Sequence, residues 1–514
     1  MNFLPIFLLF WQLPYDRILH ADREPDNWLT YSGNYASHHY SQLAQINRAN
    51  VQQLKVAWMY QVRGREHFET MPLVFDGVMY ITDPPSDVTA LDVKTGRPLW
   101  HYRRPIPDGI AVCCGQVNRG VAALDDQIFV ATIDSHVVAL DAKTGRVRWD
   151  VEVADYKEAV TLTAAPLALK DKIIVGMAGA EYGVRGFLDA YDAKTGKRLW
   201  RFWTTEEKTW AGDSWKRGGA TTWVTGSYDP ALDLVYWGTG NPGPDYDGTV
   251  REGDNLYSDA VIAIEAATGR LKWHFQFTPH DVNDMDSNQI PILIDANWKG
   301  KPRKLMLFAN RNAFYYVLDR QTGEYLHSTT FAKQNWAKEI DAKGRPVPTL
   351  RTAADEKGAL VYPDDDGTSN WYSPSYSPRT QFFYQNVREK GAYYFKADTT
   401  FHPGRMYLGA TKRDIPGEEP YGALRALKAL TGEKAWEFKT QSPPWCGLLS
   451  TAGDLVFSGT MEGDFFALDA VTGKFLWRFQ TGGEIWGNPI SYRSEGKQYV
   501  AVAAGNSLMV FGLP

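Results

Sequence analysis

Oxygen-bearing side chains next to sharp turns are the first residues in this sequence that could do chemistry. Glu181 stands in AGAEYG, Asn241 in GTGNPGP and Asp284 in TPHDVND, and a second acid, Asp286, follows two residues later. Carboxylate and amide oxygens suit a hard cation such as calcium, whereas zinc favours Cys and His. Each residue also has an ordinary explanation, as a turn Asn or a surface charge. Taken singly, these residue types leave a cation site and a solvated surface both open.

Two adjacent cysteines, Cys113 and Cys114 in CCGQVNRG, form the second unusual feature. Neighbouring Cα atoms lie about 3.8 Å apart, below the usual disulfide range, so a bond between them would close a strained ring. Two buried thiols are the alternative. The sequence contains no CxxCH motif, which excludes covalently attached haem. The electrons of any redox reaction would therefore leave for another protein.

These residues belong to a chain that repeats itself. A unit of about eleven residues, as in ALDVKTGRPLW and ALDAKTGRVRW, returns seven times. Each copy is typical of an antiparallel hairpin: an apolar strand, a turn in which Gly supplies a positive φ after Thr, and a strand that ends in an aromatic residue. The copies are Ala90–Trp100, Ala139–Trp149, Ala190–Trp200, Ala263–Trp273, Val317–His327, Ala426–Trp436 and Ala467–Trp477.

The repeat predicts an all-β fold, an eight-bladed β-propeller with Trp-containing blades. Trp58 in VAWMY lies before the first copy and brings the number of blades to eight. Because a propeller closes on itself, we expect a C-terminal strand, Tyr499–Ala503 or Leu508–Phe511, to complete the blade begun near the N-terminus. An open solenoid is the alternative. The longest interval without a repeat, 327–436, is rich in Pro, Gly and charge, and is expected to form loops on one face.

Length and charge favour one large domain and argue against several classes of partner. The chain has 514 residues and a formal net charge of -5 with both signs interspersed, so nothing favours nucleic acid or an anionic membrane. Residues 1–21 are predicted to be a signal peptide, because MNFLPIFLLFWQLP is apolar but too short to span a bilayer and the small residue Ala21 suits cleavage. An uncleaved start is the alternative, because no Lys or Arg precedes the run. No integral membrane segment is expected elsewhere, and residues 22–514 are expected to form one periplasmic propeller.

In this context CCGQVNRG resembles the pyrroloquinoline quinone (PQQ) dependent alcohol dehydrogenases, a family of eight-bladed quinoproteins. The resemblance extends from NWLTYSGN near Trp28 to GKQYVAVAAG near Gly505. It implies PQQ as cofactor, oxidation of a primary alcohol to an aldehyde, and a soluble cytochrome c as electron acceptor. It also implies a vicinal disulfide between Cys113 and Cys114 on one face of the cofactor, with Trp223 stacked on the other.

The resemblance further implies which residues form the site. Glu181, Asn241 and Asp284 match metal ligands. Asp284 matches the general base and Arg311 the residue that hydrogen-bonds the quinone carbonyl, so both are expected to be catalytic. A cation beside Asp284 is expected to lower its pKa and keep it ionised at neutral pH. Asp286 resembles the extra ligand of members that use a lanthanide ion such as lanthanum or cerium rather than Ca²⁺. The other positions expected to hold the cofactor are Glu69, Arg119, Thr163, Ala178, Gly179, Ala180, Asn370, Trp371 and Trp445.

The sequence departs from the family pattern at three positions, and two other functions are the alternatives. Asn283 and Cys446 replace residues common in the family and are expected to touch the substrate pocket, and Ala313 stands where Gly is common. One rival is a quinoprotein sugar or polyol dehydrogenase, but the membrane-bound ones carry several N-terminal spans and lack adjacent cysteines. The other is a non-enzymatic binding propeller, which would have no reason to keep the metal residues together with the cysteine pair. The identity of the alcohol and the assembly, including a homodimer, stay open.

Overall fold

Eight antiparallel sheets of four strands contain most of the regular structure in the computed structural model, which describes residues 12–64, 66–349 and 352–514. We number these sheets as blades 1 to 8 along the chain and their strands from first to fourth. The strands of blades 1 to 4 are Leu73–Phe75, Val78–Asp83, Asp87–Asp92, Pro98–Tyr102; Ala122–Leu124, Gln127–Thr132, His136–Asp141, Val147–Glu152; Leu167–Leu169, Lys172–Gly176, Phe187–Asp192, Arg198–Trp203; and Ser227–Asp229, Leu234–Gly238, Ala260–Glu265, Leu271–Gln276. Those of blades 5 to 8 are Ile292–Trp298, Lys301–Ala309, Phe314–Asp319, Tyr325–Thr330; Ser375–Ser377, Phe382–Glu389, Tyr421–Lys428, Lys434–Thr440; Leu449–Thr451, Leu455–Gly459, Asp464–Asp469, Phe475–Gln480; and Ile490–Ser494, Lys497–Ala504, Ser507–Gly512, Lys55–Gln61.

Blade 8 closes the ring with strands from both ends of the chain. Its fourth strand, Lys55–Gln61, pairs antiparallel with Ser507–Gly512, and Trp58 lies opposite Val510. The prediction that the stretch Leu508–Phe511 completes the N-terminal blade is therefore confirmed, and the fold is an eight-bladed propeller rather than an open solenoid. A short strand, Tyr40–Ser41, adds to blade 7 in parallel.

The repeated hairpin contacts the next blade at six junctions through an indole-to-carbonyl hydrogen bond. The indole Nε1 of Trp100 in blade 1 donates to the carbonyl of Ala142 in blade 2 at 3.0 Å. The same indole packs against Gly145, whose φ is +69° and where a Cβ would lie 2.5 Å from the ring. Corresponding indole-to-carbonyl bonds are made by Trp58, Trp149, Trp200, Trp273 and Trp436. The sequence pattern therefore encodes contacts between blades as well as the turn.

Two details of the repeat differ from the expectation. The aromatic residue does not end the fourth strand, because Trp100 is followed by two further residues of Pro98–Tyr102. In blade 5, where His replaces Trp, the His327 ring bonds the carbonyl of Thr431 at 3.0 Å. The hydroxyl of Tyr315 donates to the Ala429 carbonyl at 2.7 Å, which supplies the contact that an indole makes elsewhere.

The interval 327–436 contains more than the expected loops. It supplies the first three strands of blade 6 and two small sheets, one of Ala337–Ile340 with Pro346–Pro348 and one of Ala359–Val361, Ala392–Lys396 and Ala410–Asp414. One α-helix, Tyr15–Leu19, precedes the propeller. Short 3-10 turns are Ala21–Arg23, Val51–Gln53, Tyr156–Glu158, Ala180–Tyr182, Glu207–Thr209, Ser214–Arg217 and Gly248–Val250. No helix in the described part of the chain is long and apolar enough to cross a bilayer.

The segment that contains the expected signal-peptide boundary packs against the blades. Residues 1–11 lie outside the described residues. Leu13 exchanges both backbone hydrogen bonds with Asp125 in blade 2 and is fully buried. Ile18 is 1% exposed, and Arg17 forms ion pairs with Glu24 and with Asp76 of blade 1. Cleavage after Ala21 stays a prediction, and it would remove these contacts.

Candidate active site

One end of the propeller carries all of the residues expected to act. Because adjacent strands run in opposite directions, the connections from second to third strand and from each blade to the next lie at the same end. They enclose a cavity of about 390 Å³, a size typical of small-molecule sites. Of the expected residues, those that line it are Glu69, Cys113, Cys114, Arg119, Thr163, Ala178, Gly179, Glu181, Trp223, Asp284, Asp286, Arg311, Asn370, Trp371 and Trp445. Ala180 and Asn241 were expected there but are not among the lining residues, because both lie in the turns beneath it.

A simple spacing places many of these side chains. Thr163, Trp223, Trp371 and Trp445 each stand four residues before the first strand of their blade, where the chain crosses the cavity before turning into the centre of the propeller. Trp486 occupies the same position in blade 8 and lines the cavity too. The sequence analysis did not single it out, although the spacing from IWGNP to its strand matches that of SNWYSP and PPWCGL.

Arg119 organises a polar corner of the cavity. Its guanidinium forms an ion pair with Glu69 at 2.9 Å and donates from Nη1 to Thr163 Oγ1 at 2.9 Å. The guanidinium carbon lies 5.1 Å from the ring centroid of Trp223 and 4.8 Å from that of Trp371. Burial raises the pKa of Glu69 to about 7, and the Arg119 charge opposes this shift. The buried Nε of Arg119 has no partner among the described residues, so a donor remains for an anionic ligand.

The adjacent cysteines lie at the wall of the same cavity. The sulfurs of Cys113 and Cys114 are paired in the structure, and their Cα atoms are 3.8 Å apart. The sulfurs lie within 4.8 Å of each other and of a carboxylate oxygen of Glu181.

Cys446 is a free, buried thiol whose pKa burial raises to about 12. It is therefore an inert neutral group at neutral pH.

Arg311 forms ion pairs with two acids of the segment HDVNDMD, Asp284 and Asp286. Its Nη1 lies 3.2 Å from Asp284 Oδ1, and its Nη2 lies 3.0 Å from Asp286 Oδ2. Asp284 has a left-handed backbone, with φ +57°, and a side chain that is 20% exposed. In the protein alone burial raises the pKa of Asp284 well above its usual range, while Arg311 lowers it and the Asp286 charge raises it. The net lowering that was expected for this pKa therefore requires a cation in addition to Arg311.

The acids Glu181 and Asp245 offer free oxygen atoms to a cation. Oε2 of Glu181 and Oδ1 of Asp245 are buried and have no hydrogen-bond partner among the described residues. Burial, together with the nearby Asp286 charge, raises the pKa of Glu181 to about 7, while the Arg311 charge opposes this shift. Asp245, which the sequence analysis missed, lines the cavity and is 1% exposed. Unpartnered buried carboxylates are costly, so these residues fit a bound cation.

The expected ligands are not drawn tightly together. Among the described residues, the groups of three acid or thiol ligand atoms within 4.8 Å of one another are Cys113, Cys114 and Glu181, and separately Asp364, Asp365 and Asp366. Glu181, Asp284 and Asp286 do not form such a group, because Asp284 and Asp286 are spaced by the Arg311 guanidinium. The second group is neutralised by cations, since Asp365 pairs with Lys412 and Asp366 with Arg388.

The mouth of the cavity differs from the expectation for the substrate pocket. Neither Asn283 nor Cys446 lines it. The Asn283 amide donates to the Thr352 carbonyl at 2.7 Å, and the Cys446 thiol faces backbone carbonyls. The residues that line the cavity without having been predicted include Met406 and Leu408 from the connection 390–420, together with Val112, Tyr246, His67 and Trp486. Apart from Trp486, which follows the four-residue spacing, these residues lie in connections outside the repeat and give no periodic signal in the sequence.

Comparison with known proteins agrees with this geometry. The chain matches the PQQ family described as glucose/ethanol/alcohol dehydrogenase, β-propeller domain, over residues 28–351 and 409–500. The chain belongs to this family. It is 38% identical to quinoprotein alcohol dehydrogenase PedH of Pseudomonas putida, over 95% of this chain and 88% of that protein. It is 39% identical to the lanthanide-dependent methanol dehydrogenase of Methylacidiphilum fumariolicum, over 95% of this chain and 86% of that protein.

A solved structure gives the same result in three dimensions. A europium-containing methanol dehydrogenase superposes with a TM-score of 0.93 at 34% identity, covering 97% of this chain and all of that one. This member of the PQQ-dependent alcohol dehydrogenase family is thus an oxidoreductase, and the predicted enzyme class and fold are confirmed. A non-enzymatic binding propeller is excluded by the family.

Proposed function

We propose that the chain oxidises a primary alcohol to an aldehyde in the 390 Å³ cavity, with PQQ as the oxidant and a lanthanide ion as its metal. The single observation that carries the proposal is the pair formed by Asp284 and Arg311, an acid and a guanidinium 3.2 Å apart at the cavity wall. When bound, PQQ accepts the hydride, and the metal polarises the accepting carbonyl.

Asp284 is the general base of the proposed reaction. Its left-handed backbone follows Asn283, which the Thr352 carbonyl anchors, and the carboxylate is the more exposed member of the Asp284–Arg311 pair. Arg311 Nη1 also donates to the Asp284 and Asp365 backbone carbonyls at 3.0 and 2.7 Å, which fixes the guanidinium in place. Asp284 then takes the hydroxyl proton at its carboxylate, and Arg311 stabilises negative charge that develops beside it.

The polar corner and the aromatic walls hold the cofactor in the proposed complex. Arg119, supported by Glu69 and Thr163, supplies a cation and a free Nε donor for carboxylate groups. Trp223 and the Cys113–Cys114 pair provide flat or soft surfaces at the wall, and aromatic faces stack well on a planar quinone. Asn370, Trp371 and Trp445 complete the enclosure, while Ala178 and Gly179 bring backbone groups close.

The lanthanide preference rests on the number of carboxylates. A trivalent ion next to Glu181, Asp284 and Asp286 is matched in charge, whereas Ca²⁺ leaves the same group of ligands with excess negative charge. The two relatives named for lanthanide and europium support this choice. Asp286 also accepts hydrogen bonds from the Asn241 N–H at 2.7 Å and the Trp223 indole at 3.1 Å, so it connects the metal region to the proposed stacking residue.

The experiment is reconstitution of purified, metal-free protein with PQQ and either La³⁺ or Ca²⁺, assayed with a panel of alcohols. Higher turnover with La³⁺ is expected, and Asp286→Ala should shift the preference toward Ca²⁺ or abolish activity with La³⁺. Equal or better turnover of the unmutated protein with Ca²⁺, after removal of trace lanthanides, would overturn the metal assignment.

Electron acceptor and location belong to the same proposal. A relative is named methanol dehydrogenase [cytochrome c] subunit 1, which supports a soluble cytochrome c as acceptor. We place the enzyme in the periplasm. N-terminal sequencing of the exported protein tests the boundary: the buried Leu13 and Ile18 favour a mature protein that retains them, whereas a start after Ala21 would match the signal-peptide prediction.

A further inference from the structure

Asp245 is a buried acid with no function assigned so far. It lies in the connection between the second and third strands of blade 4, four residues after Asn241, and it lines the cavity while only 1% exposed. Its Oδ1 has no hydrogen-bond partner among the described residues. A buried carboxylate oxygen in this state costs free energy unless a cation or donor meets it.

The nearest cation does not neutralise this carboxylate by hydrogen bonding. Arg251 is fully buried, but its guanidinium donates to the Pro244 carbonyl from Nε at 3.1 Å and to the Asn255 side chain from Nη1 at 2.9 Å. Nη2 donates to backbone carbonyls, those of Pro244, Asp245 and Asp281. The Asp245 carboxylate itself receives none of these bonds.

The turn that carries Asp245 packs directly on the turn that carries Glu181. A Cβ on Gly243 would lie 3.5 Å from the Ala180 carbonyl oxygen, and a Cβ on Gly219 would lie 2.7 Å from the Asn241 carbonyl oxygen and 3.3 Å from Ala180 Cβ. Glu181 and Asp245 both line the cavity, and each has a buried oxygen without a partner among the described residues, Glu181 Oε2 and Asp245 Oδ1.

Asp286 provides the contrast. Its two oxygens accept hydrogen bonds from the Asn241 N–H and the Trp223 indole, at 2.7 and 3.1 Å, and Oδ2 also forms an ion pair with Arg311 Nη2 at 3.0 Å. Asp286 is therefore satisfied by the protein, while Asp245 and Glu181 are not.

We propose that Asp245 is a further carboxylate ligand of the metal ion, acting beside Glu181 and Asn241. The inference rests on the proposed function, because it assumes that a cation binds in this cavity. A large trivalent ion takes many oxygen ligands and gains more than Ca²⁺ from each added carboxylate. Asp245 therefore deepens the lanthanide preference that the sequence attributes to Asp286.

The test is metal affinity measured by competition with a chelator, independent of turnover. Asp245→Asn keeps the shape and removes the charge. Affinity for La³⁺ is expected to fall by more than about 100-fold, beyond the 10- to 100-fold typical of groups that only support a ligand. The fall for Ca²⁺ should be smaller.

Asp259→Asn is the matched control. Asp259 is fully buried, both of its oxygens lack partners, and the Asp286 charge acts on it, yet it does not line the cavity. Its substitution removes a buried acid near the site without removing a ligand, so La³⁺ affinity should fall by about 100-fold at most, the upper limit for groups that only support a ligand. Asp245→Ser serves as a second variant if Asp245→Asn does not fold, and the same loss is expected.

The outcomes separate the two proposals. Tight La³⁺ binding by the unmutated protein and unchanged binding by Asp245→Asn would overturn the role of Asp245 and leave the proposed function standing. Equal losses in Asp245→Asn and Asp259→Asn would also overturn it, because charge alone would then explain the effect. Failure of the unmutated protein to bind La³⁺ more tightly than Ca²⁺ would instead contradict the metal assignment itself.

Discussion

The two ends of the propeller blades are built on different rules. At one end, the turns between third and fourth strands repeat one arrangement: Asp141 Oδ1 accepts from the backbone N–H groups of Lys143 and Thr144 and from the Thr144 hydroxyl, and Gly145 receives the indole of the preceding blade. At the other end, the connections range from two residues in blade 8 (505–506) to the long segment 390–420 in blade 6. The first end fixes the ring, and the second end carries the residues proposed for the chemistry.

This difference indicates that the residues that stabilise the fold and the residues proposed for activity lie at opposite ends of the strands. Side chains of the turn end make hydrogen bonds that are satisfied within the repeat. Those at the cavity end include the unpartnered donors and acceptors of Arg119, Arg311, Glu181 and Asp245. Such unsatisfied groups cost folding free energy and are retained where a ligand uses them.

The largest expected effect is the loss of the proposed base. Asp284→Asn keeps the shape of the side chain but cannot accept a proton, so turnover should fall by about 10² to 10⁴ while the cofactor still binds. Steady-state kinetics on protein whose PQQ and metal contents have been measured checks this. Activity near that of the unmutated enzyme, with both groups fully loaded, would remove Asp284 from this role.

Asp141→Ala is the matched change at the turn end. It removes the acceptor of three hydrogen bonds within the turn, each worth about 1 kcal/mol, and also the partner of Arg148 at 2.6 Å, so it should lower the melting temperature without changing turnover at lower temperature. A large fall in turnover of this variant would break the separation of the two ends.

Another prediction at the turn end concerns the contact between the Trp100 indole and Gly145 of the next blade. Gly145→Ala places a methyl group against the Trp100 indole at a positive φ, whereas Gly77→Ala has a similar φ of +78° and no atom within 4 Å. The backbone strain of about 1–2 kcal/mol is common to both, and overpacking adds about 1–3 kcal/mol at Gly145 alone. Chemical unfolding should therefore show the larger loss for Gly145→Ala. Equal losses would mean that the indole moves aside and the contact contributes little.

The same contrast explains what the sequence could predict. The hairpin, the number of blades and the closure through Leu508–Phe511 follow from a local pattern, because each repeat contains both its turn and the Trp that contacts the next turn. The residues Asp284, Arg311 and Trp223 were found through their resemblance to a family. Asp245 and Met406 were not, because they lie in connections of irregular length whose path depends on the packing of neighbouring turns. Trp486 could have been found from the four-residue spacing before each first strand.

The third prediction changes the cysteine pair at the cavity end. Reduction and alkylation of Cys113 and Cys114 should impair turnover or electron transfer and leave the melting temperature nearly unchanged, because a bond between adjacent residues closes almost no loop in the unfolded chain. Circular dichroism and turnover with an artificial acceptor give the two measurements. Two free thiols in the mass spectrum of the native protein would show that the disulfide is absent. A large loss of stability after alkylation would show that the pair contributes to the fold, like the residues of the turn end.

The smallest effect is expected at Ala313, a non-glycine residue with a positive φ in a turn at the cavity end. Ala313 has φ +73° and is fully buried, two residues after Arg311 in the connection of blade 5, and the Asn310 and Asn312 side chains cap its neighbours. Ala313→Gly relieves about 1–2 kcal/mol of left-handed strain. It also removes a buried methyl worth about 0.8 kcal/mol and makes the unfolded chain more flexible by about 0.4–1 kcal/mol. These contributions nearly cancel, so unfolding free energy should change by less than about 1 kcal/mol and turnover should stay within about twofold. A gain of several kcal/mol in unfolding free energy would show that the backbone strain at Ala313 is larger than that of an ordinary left-handed alanine. A change in turnover of the same variant would show that this strain affects the active site.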